Sequence, residues 1–251
     1  MGFMFWFSVR QLATRRRLLL MLLLVALPIG LAALVSATLS EDESSNREFI
    51  NNLLDGLLIA GILPIVTMVM ATAAFGNELE DRTLSYLVLK PIPRSRIVLP
   101  KLLASIVVGG PLLVASGVGA TLLGASGIGA ALLVLDGDLQ AAVAIGVALL
   151  VGVVTYAAIF TWAGLVTARA LAFALIYVFL WEGLISTFLG GVRYLSVRGY
   201  TLAILHGLDD KSFDAIGDRV IEFPAAIAGA ATVTVVFFWL TVLRLRRMDV
   251  P

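Results

Sequence analysis

The sequence contains no cysteine and one histidine, His206, among its 251 residues. Disulfides, thiolate metal sites and cysteine nucleophiles are therefore excluded. A multi-histidine metal centre or a histidine-rich proton relay is out of reach within one chain. Charge is scarce as well: Asp, Glu, Lys and Arg make up 14% of the residues, against about a quarter in an average soluble domain. The net charge of +1 offers no basic footprint for nucleic acid. No lysine follows a glycine, so there is no G-x-x-x-x-G-K-[ST] phosphate loop. Gly124-x-x-Gly127-x-Gly129 lies in an apolar connection and follows no strand pattern, which argues against a dinucleotide site. Neither H-E-x-x-H nor G-x-S-x-G occurs, so metalloprotease and serine-hydrolase chemistry have no motif.

What is abundant is apolar. Hydrophobic residues make up 60% of the chain and the mean hydropathy is +1.02. A water-soluble fold could not hide that much apolar surface, so the solvent is lipid. Six stretches are long enough to cross about 30 Å of hydrocarbon, which takes roughly 20 helical residues: Leu18–Leu39, Leu53–Phe75, Leu99–Leu123, Leu139–Leu165, Leu171–Leu189 and Pro224–Leu243. The first follows Arg15–Arg17 as in a secretory signal. Its apolar run of about 22 residues exceeds a signal's h-region, so it is read as a span. Small residues four apart, Ala115 with Gly119 and Ala142 with Gly146, would let helix backbones approach closely in lipid. Pro28, Pro64 and Pro111 fall inside spans, where kinks are tolerated if neighbours satisfy the freed carbonyls.

The basic residues are unevenly divided. Arg10 and Arg15–Arg17, then Arg82, Lys90, Arg94, Arg96 and Lys101, then Arg169, then Arg244, Arg246 and Arg247 place thirteen on one side. Arg47, Arg193, Arg198, Lys211 and Arg219 leave five on the other. The richer side is cytoplasmic by the positive-inside rule, which puts both termini inside. The outer loops are acidic, with Glu41, Asp42, Glu43 and Glu48 in the first and Asp209, Asp210, Asp214, Asp218 and Glu222 in the last.

Three segments outside the spans carry further expectations. Residues 1–17 combine Phe3, Phe5, Trp6, Phe7 and Leu12 with the following arginines, which suits an amphipathic elbow helix in the inner headgroup layer. Residues 76–96 form the longest cytoplasmic stretch between spans. Asn77 can cap a helix there, and Glu78, Glu80 and Asp81 suit its first turn. Glu78 and Arg82 are spaced i,i+4. Leu84, Leu87 and Val88 make an apolar stripe, and Pro91 and Pro93 stop the helix. Such a helix can lie on the membrane or dock in a partner's groove. Residues 190–222 are too long for a simple turn and read as partial helices resting on the outer surface, with His206 as a wetted interfacial residue.

Glu182 is the one charge deep inside a span; Asp55 sits at the outer edge of span two. At 1.5 Å per residue from Leu171, Glu182 lies roughly 17 Å deep. A carboxylate there must be paired, protonated or facing water. It either lines a pathway or makes a structural bond between spans, with Tyr156, Thr161 or Trp162 as partners, and the residue pattern allows both.

Glu78-x-Glu80-x-x-Thr83-Leu84-x-x-Leu87, then Lys90-Pro91-Ile92-Pro93-Arg94, Ile97 and Lys101, resembles the first cytoplasmic loop of ABC-2-type permeases. Arg82 and Pro100 stand where that pattern has glycine. The sequence from Tyr177 to Leu184, with Arg193-Tyr194-Leu195-Ser196, looks like the branch that includes permeases linked to multicopper-enzyme maturation. For copper itself, Met68 and Met70 are the only paired soft ligands, and their i,i+2 spacing points them apart.

The resemblance implies an all-α, single transmembrane domain over residues 1–251, with six spans, the elbow helix and a coupling helix between spans two and three. It implies the permease subunit of an exporter, with ATP and Mg held by a separate ABC ATPase subunit and none in this chain. A second permease copy or homologue and the inner-membrane bilayer would be its other partners, and no nucleic acid. It also implies that Glu78, Glu80, Arg82, Thr83, Leu84, Leu87, Val88 and Arg94 couple to the ATPase. An ATP-powered signalling or remodelling scaffold that moves no solute fits the same residues. An intramembrane enzyme using Glu182 would need a second convergent group, and none is visible.

Single cysteines test the orientation in a chain that has none of its own. With an impermeant maleimide on intact cells, Ser44→Cys and Ser212→Cys are expected to react and Ser85→Cys to remain unlabelled. Outside labelling at position 85 would invert the topology.

Overall fold

In hydrocarbon every backbone polar group needs a partner within the protein, so spanning segments become helices. The computed structural model describes residues 2–38, 49–80, 93–131, 139–167, 169–185, 194–213 and 221–247, and its regular elements are all helical. In chain order they are α1 (Gly2–Leu12), α2 (Arg15–Thr38), a π-helical stretch Leu53–Ile62 running into α3 (Leu63–Glu80), α4 (Ser95–Ala131) and α5 (Leu139–Val166). Then come α6 (Ala170–Ile176), a second π-helical stretch Tyr177–Ile185, α7 (Val197–Leu208) and α8 (Phe223–Arg246). Among the described residues, five helices are long and apolar enough to cross a membrane: Arg15–Val35, Phe49–Gly76, Ser95–Leu123, Leu139–Val166 and Phe223–Arg246. They coincide with the expected spans one to four and six. For the fifth, Leu171–Leu189, the structure has a shorter apolar helix, Ala170–Gly183, and residues 186–193 lie outside the described residues.

The bundle is built around α5, which packs on α3, α4, α7 and α8. Its buried face is mostly small: Ala141, Ala144, Ala148, Gly152, Ala157, Ala158, Ala163 and Gly164. Without a hydrophobic drive between helices in lipid, close backbone approach is what holds such a bundle. At Gly164 a Cβ would stand 2.7 Å from the Thr72 carbonyl oxygen and 3.1 Å from its Cα, so α3 and α5 touch backbone to backbone. Gly117 of α4 takes the Leu149 side chain, where a Cβ would stand 2.4 Å from Cδ1. Gly146 faces Val114 and Val118, and Gly119 faces Ile29. Ala115 is exposed instead. Thr67, Thr72, Thr121, Thr155 and Thr241 each return their hydroxyl to the carbonyl four residues earlier, which satisfies a polar group without water.

One stripe of α2, Met21, Val25, Ala32 and Val35, is buried, while Leu19, Leu20, Leu23 and Leu34 face outward. The buried stripe meets α4, where the Ser116 hydroxyl donates to the Val25 carbonyl at 2.7 Å. α1 packs against α4 with Leu12 inward and Trp6 and Phe7 exposed. The first π-helical stretch ends in an i→i−5 bond from the Leu63 N–H to the Leu58 carbonyl. Pro64 follows, and its missing N–H marks the change of register.

The structure corrects two sequence readings. α3 runs unbroken through Gly76, Asn77 and Glu78 to Glu80, so Asn77 caps no new helix. Gly76 and Asn77 are weak breakers, and a helix interior tolerates them when its sides are packed. Residues 81–92, which hold Arg82, Thr83, Leu84, Leu87 and Val88, lie outside the described residues, as does the Glu80 side chain. The second correction concerns α7. Val197, Tyr200, Thr201, Leu202, Ala203, Ile204 and Leu205 are buried, and α7 packs against α5, α8 and the first π-helical stretch. Leu208 accepts a bond from Gln140 at the start of α5. Thr201, by contrast, meets Gly152 at the middle of that helix, where a Cβ would stand 2.8 Å from its Oγ1. α7 thus dips into the bundle with its N-terminus innermost; it does not rest on the outer surface. Its run of buried apolar residues needs a protein environment on more than one side, which a surface position would not supply. His206 is half-buried, with Nδ1 3.2 Å from the Phe213 carbonyl oxygen.

Gly164→Ala is expected to force α3 and α5 apart and to lower stability by about 1–3 kcal/mol, the usual cost of overpacking. Gly30→Ala, with nothing within 4 Å of its Cβ position, is expected to be neutral or mildly stabilising. Thermal unfolding in detergent compares the two, and equal melting temperatures would refute the contact.

Candidate functional site

Glu182 lies on the second π-helical stretch and is buried at 2% exposure. In an i→i+5 ladder, residues five apart sit about one turn from each other. Tyr177 is so placed, and its hydroxyl donates to Glu182 Oε1 at 3.3 Å. The same oxygen accepts from the Val197 N–H at 2.9 Å, and Oε2 accepts from the Ser196 hydroxyl. The Arg198 N–H also points at the carboxylate. Ser196 is the N-cap of α7, and its Oγ accepts from the Gly199 N–H at 3.0 Å.

The first-turn N–H groups of α7 are thus met by Glu182 and Ser196. The helix dipole at that end favours the negative group. Glu182 therefore caps α7 from another helix, and the chemistry is that of a structural anchor. Of the expected partners, Tyr156 is at the site: its hydroxyl is fully buried and turned toward this carboxylate. Thr161 Oγ1 has no partner among the described residues, and Trp162 packs edge-on against Phe237 at 5.5 Å. Tyr156 stacks on Phe160 at 5.6 Å, and Phe160 meets Tyr177 edge-on at 6.1 Å, which holds Tyr177 in place beneath the carboxylate.

A second acid grips the same helix end. Asp55, on the first π-helical stretch, pairs with Arg198 through Nη2 at 2.7 Å and Nε at 3.0 Å. Both side chains are 22% exposed. Two π-helical stretches therefore each aim one carboxylate at successive residues of α7. Sequence reasoning assigned Arg198 to an outer loop and missed the pair. The available signal was the scarcity of charge: an arginine flanked by apolar residues in such a chain needs an acid nearby.

Of the expected coupling residues, Glu78 and Arg94 have described side chains. Arg94 is half-buried in the turn before α4, and its carbonyl accepts from the Ile97 and Val98 N–H groups at 3.0 Å each. Glu78 is buried, and its Oε1 is 2.6 Å from Lys101 Nζ of α4. Lys101 also donates to the Ala74 carbonyl and lies 4.7 Å from the Phe75 ring centroid. Phe75, Ile97, Val98, Leu165, Val242 and Leu245 close around this point. No group of three His, Asp or Glu side chains able to hold a metal comes together among the described residues.

The family profile described as "ABC-2 family transporter protein" matches residues 13–181, more than half of the chain. No curated protein sequence matches it.

The capping geometry sets the response of Glu182 to substitution. In Glu182→Gln the amide oxygen can keep the Val197 and Tyr177 bonds while the amide nitrogen donates to Ser196, so assembled protein is expected at near-normal yield. Glu182→Leu orphans several buried donors at about 1–3 kcal/mol each and is expected to lose folded protein. Size-exclusion profiles and melting temperatures check this. A Gln variant as unstable as the Leu variant would refute the cap, and a well-assembled Gln variant without substrate-stimulated turnover would make Glu182 a pathway residue.

Proposed function

The chain belongs to the ABC-2 family of transporter proteins, and on that premise we propose that it is the permease subunit of an ATP-driven exporter. It forms the translocation path together with a second permease copy or homologue. Separate ATPase subunits hold ATP and Mg, in keeping with a sequence that has no phosphate loop. The observation that carries the reading is the pinned base of the cytoplasmic segment. Residues 81–92 leave from α3 and return at Pro93, and the two stems are joined by Glu78 and Lys101. A segment so based can receive a push from a docked ATPase and pass it to spans two and three.

The finer assignments are part of the same proposal. α1, with Trp6 and Phe7 exposed and Arg10 at its last turn, serves as an elbow helix in the inner headgroup layer. Both termini are cytoplasmic in the inner membrane, and Ala170–Ile185 belongs to a sixth span. Leu84, Leu87 and Val88 are the apolar anchors for the ATPase, with Glu80, Arg82, Thr83 and Arg94 around them. The narrower placement, with permeases of multicopper-enzyme maturation, rests on the sequence resemblance alone. An intramembrane enzyme is disfavoured because both oxygens of Glu182 are engaged by donors.

Replacing Leu84 and Leu87 together with Asp is expected to release the ATPase while the permease still inserts, because buried apolar anchors dominate such interfaces. Affinity purification in mild detergent reads the result. An intact complex would refute the docking assignment.

A further inference from the structure

We infer that the Glu78–Lys101 ion pair is the rigid joint by which the cytoplasmic coupling segment moves spans two and three as one body. The inference rests on the permease reading above and names positioning residues within it. Glu78 lies one turn or less from the end of α3, and Lys101 lies within two turns of the start of α4. The pair therefore bridges the two stems just above the point where residues 81–92 leave and return. The Lys101 side chain is 4% exposed and that of Glu78 10%, so water and salt screen them little.

Lys101 has a second hold on the same helix. Its Nζ donates to the Ala74 carbonyl, one turn before Glu78, so a charge-assisted bond to the α3 backbone backs the ion pair. The Phe75 ring under the ammonium closes a third side. One side chain of α4 thus grips α3 at residues 74, 75 and 78.

The grip is placed beside a weak point. Pro100 lies inside α4, and its missing N–H leaves the Arg96 carbonyl without its helical donor. Ahead of that position Ile97 and Val98 are buried in one cluster with Phe75 of α3, and just after it Lys101 holds α3 directly. On the other face of α3, the backbone contact between Thr72 and Gly164 ties the same turns to α5. Two apolar side chains could fill the space of the ion pair with comparable stability, but they would leave the helices free to slide. A charge-assisted pair with fixed donors resists that motion.

The test uses the whole complex, purified with its ATPase and placed in lipid nanodiscs. A single cysteine replaces Asn52, which is exposed just ahead of the π-helical stretch that leads into α3, and its maleimide labelling rate is followed with and without ATP, Mg and vanadate. The parent complex is expected to change its rate on trapping. Lys101→Met is expected to keep the bound ATPase and its basal hydrolysis and to lose the change. Since an unpaired Glu78 could unfold the chain, the doubly neutral Glu78→Gln/Lys101→Met variant is measured too and is expected to assemble and show the same loss. The reversed pair, Glu78→Lys/Lys101→Glu, is expected to regain part of the response, because it restores the bridge but not the bond to Ala74. A response undiminished in the doubly neutral variant overturns the joint while leaving the permease reading intact. A parent chain that brings down no ATPase overturns the permease reading, and the joint with it.

Discussion

A helix that begins within an apolar bundle presents N–H groups that need partners from the protein, and Glu182 is the group that answers them. The carboxylate, Ser196 and the backbone of Val197 and Arg198 form one closed arrangement at the inner end of α7. Without it α7 could not lie between α5, α8 and the first π-helical stretch, because orphaned donors in a low-dielectric interior are costly. The position of α7 sets other contacts in turn. Thr201 reaches Gly152 at the middle of α5, and the Tyr200 ring lies where a side chain on Gly229 of α8 would stand.

The two π-helical stretches follow the same logic. A wider helix turns its side chains to positions a regular helix does not offer. Here each stretch carries one acid, Asp55 or Glu182, and both acids close on the start of α7. Polar anchoring is thereby concentrated at one helix end, and the rest of the bundle is left to the contact of small residues. A different anchor serves the far end of α3, where Lys101 joins α4 to α3 amid a separate apolar cluster.

Close packing binds the two polar centres. α5 runs past both, lined by alanine and glycine on its buried face. In lipid the helices gain little from hiding apolar surface, so contact distance matters more than side-chain bulk. The backbone contact at Gly164 and Thr72 lies one to two turns from Glu78 along α3. α5 also carries Tyr156 and Phe160, whose rings lead to Tyr177 under the buried carboxylate.

By itself the sequence determined the solvent and the positions of the five long apolar helices found among the described residues. Runs of apolar residues interrupted by few charges leave a chain no other state, since length and hydropathy are local properties. It also singled out Glu182 as a buried acid, and Glu78 and Lys101 as residues of one motif. Of their partners it named Tyr156 alone. Nothing local in Val197–Leu208 distinguishes a helix lying on a surface from one inserted into a bundle, because both need an apolar stripe. Asn77 resembled a cap because the same residue types serve at helix starts and within packed helix ends. Only the tertiary structure decided that Glu182 meets Ser196 and Val197, that Asp55 meets Arg198 and that Glu78 meets Lys101. Each pairing joins residues from different helices, and the distance between helices is set by how small residues pack, which no single stretch of sequence contains.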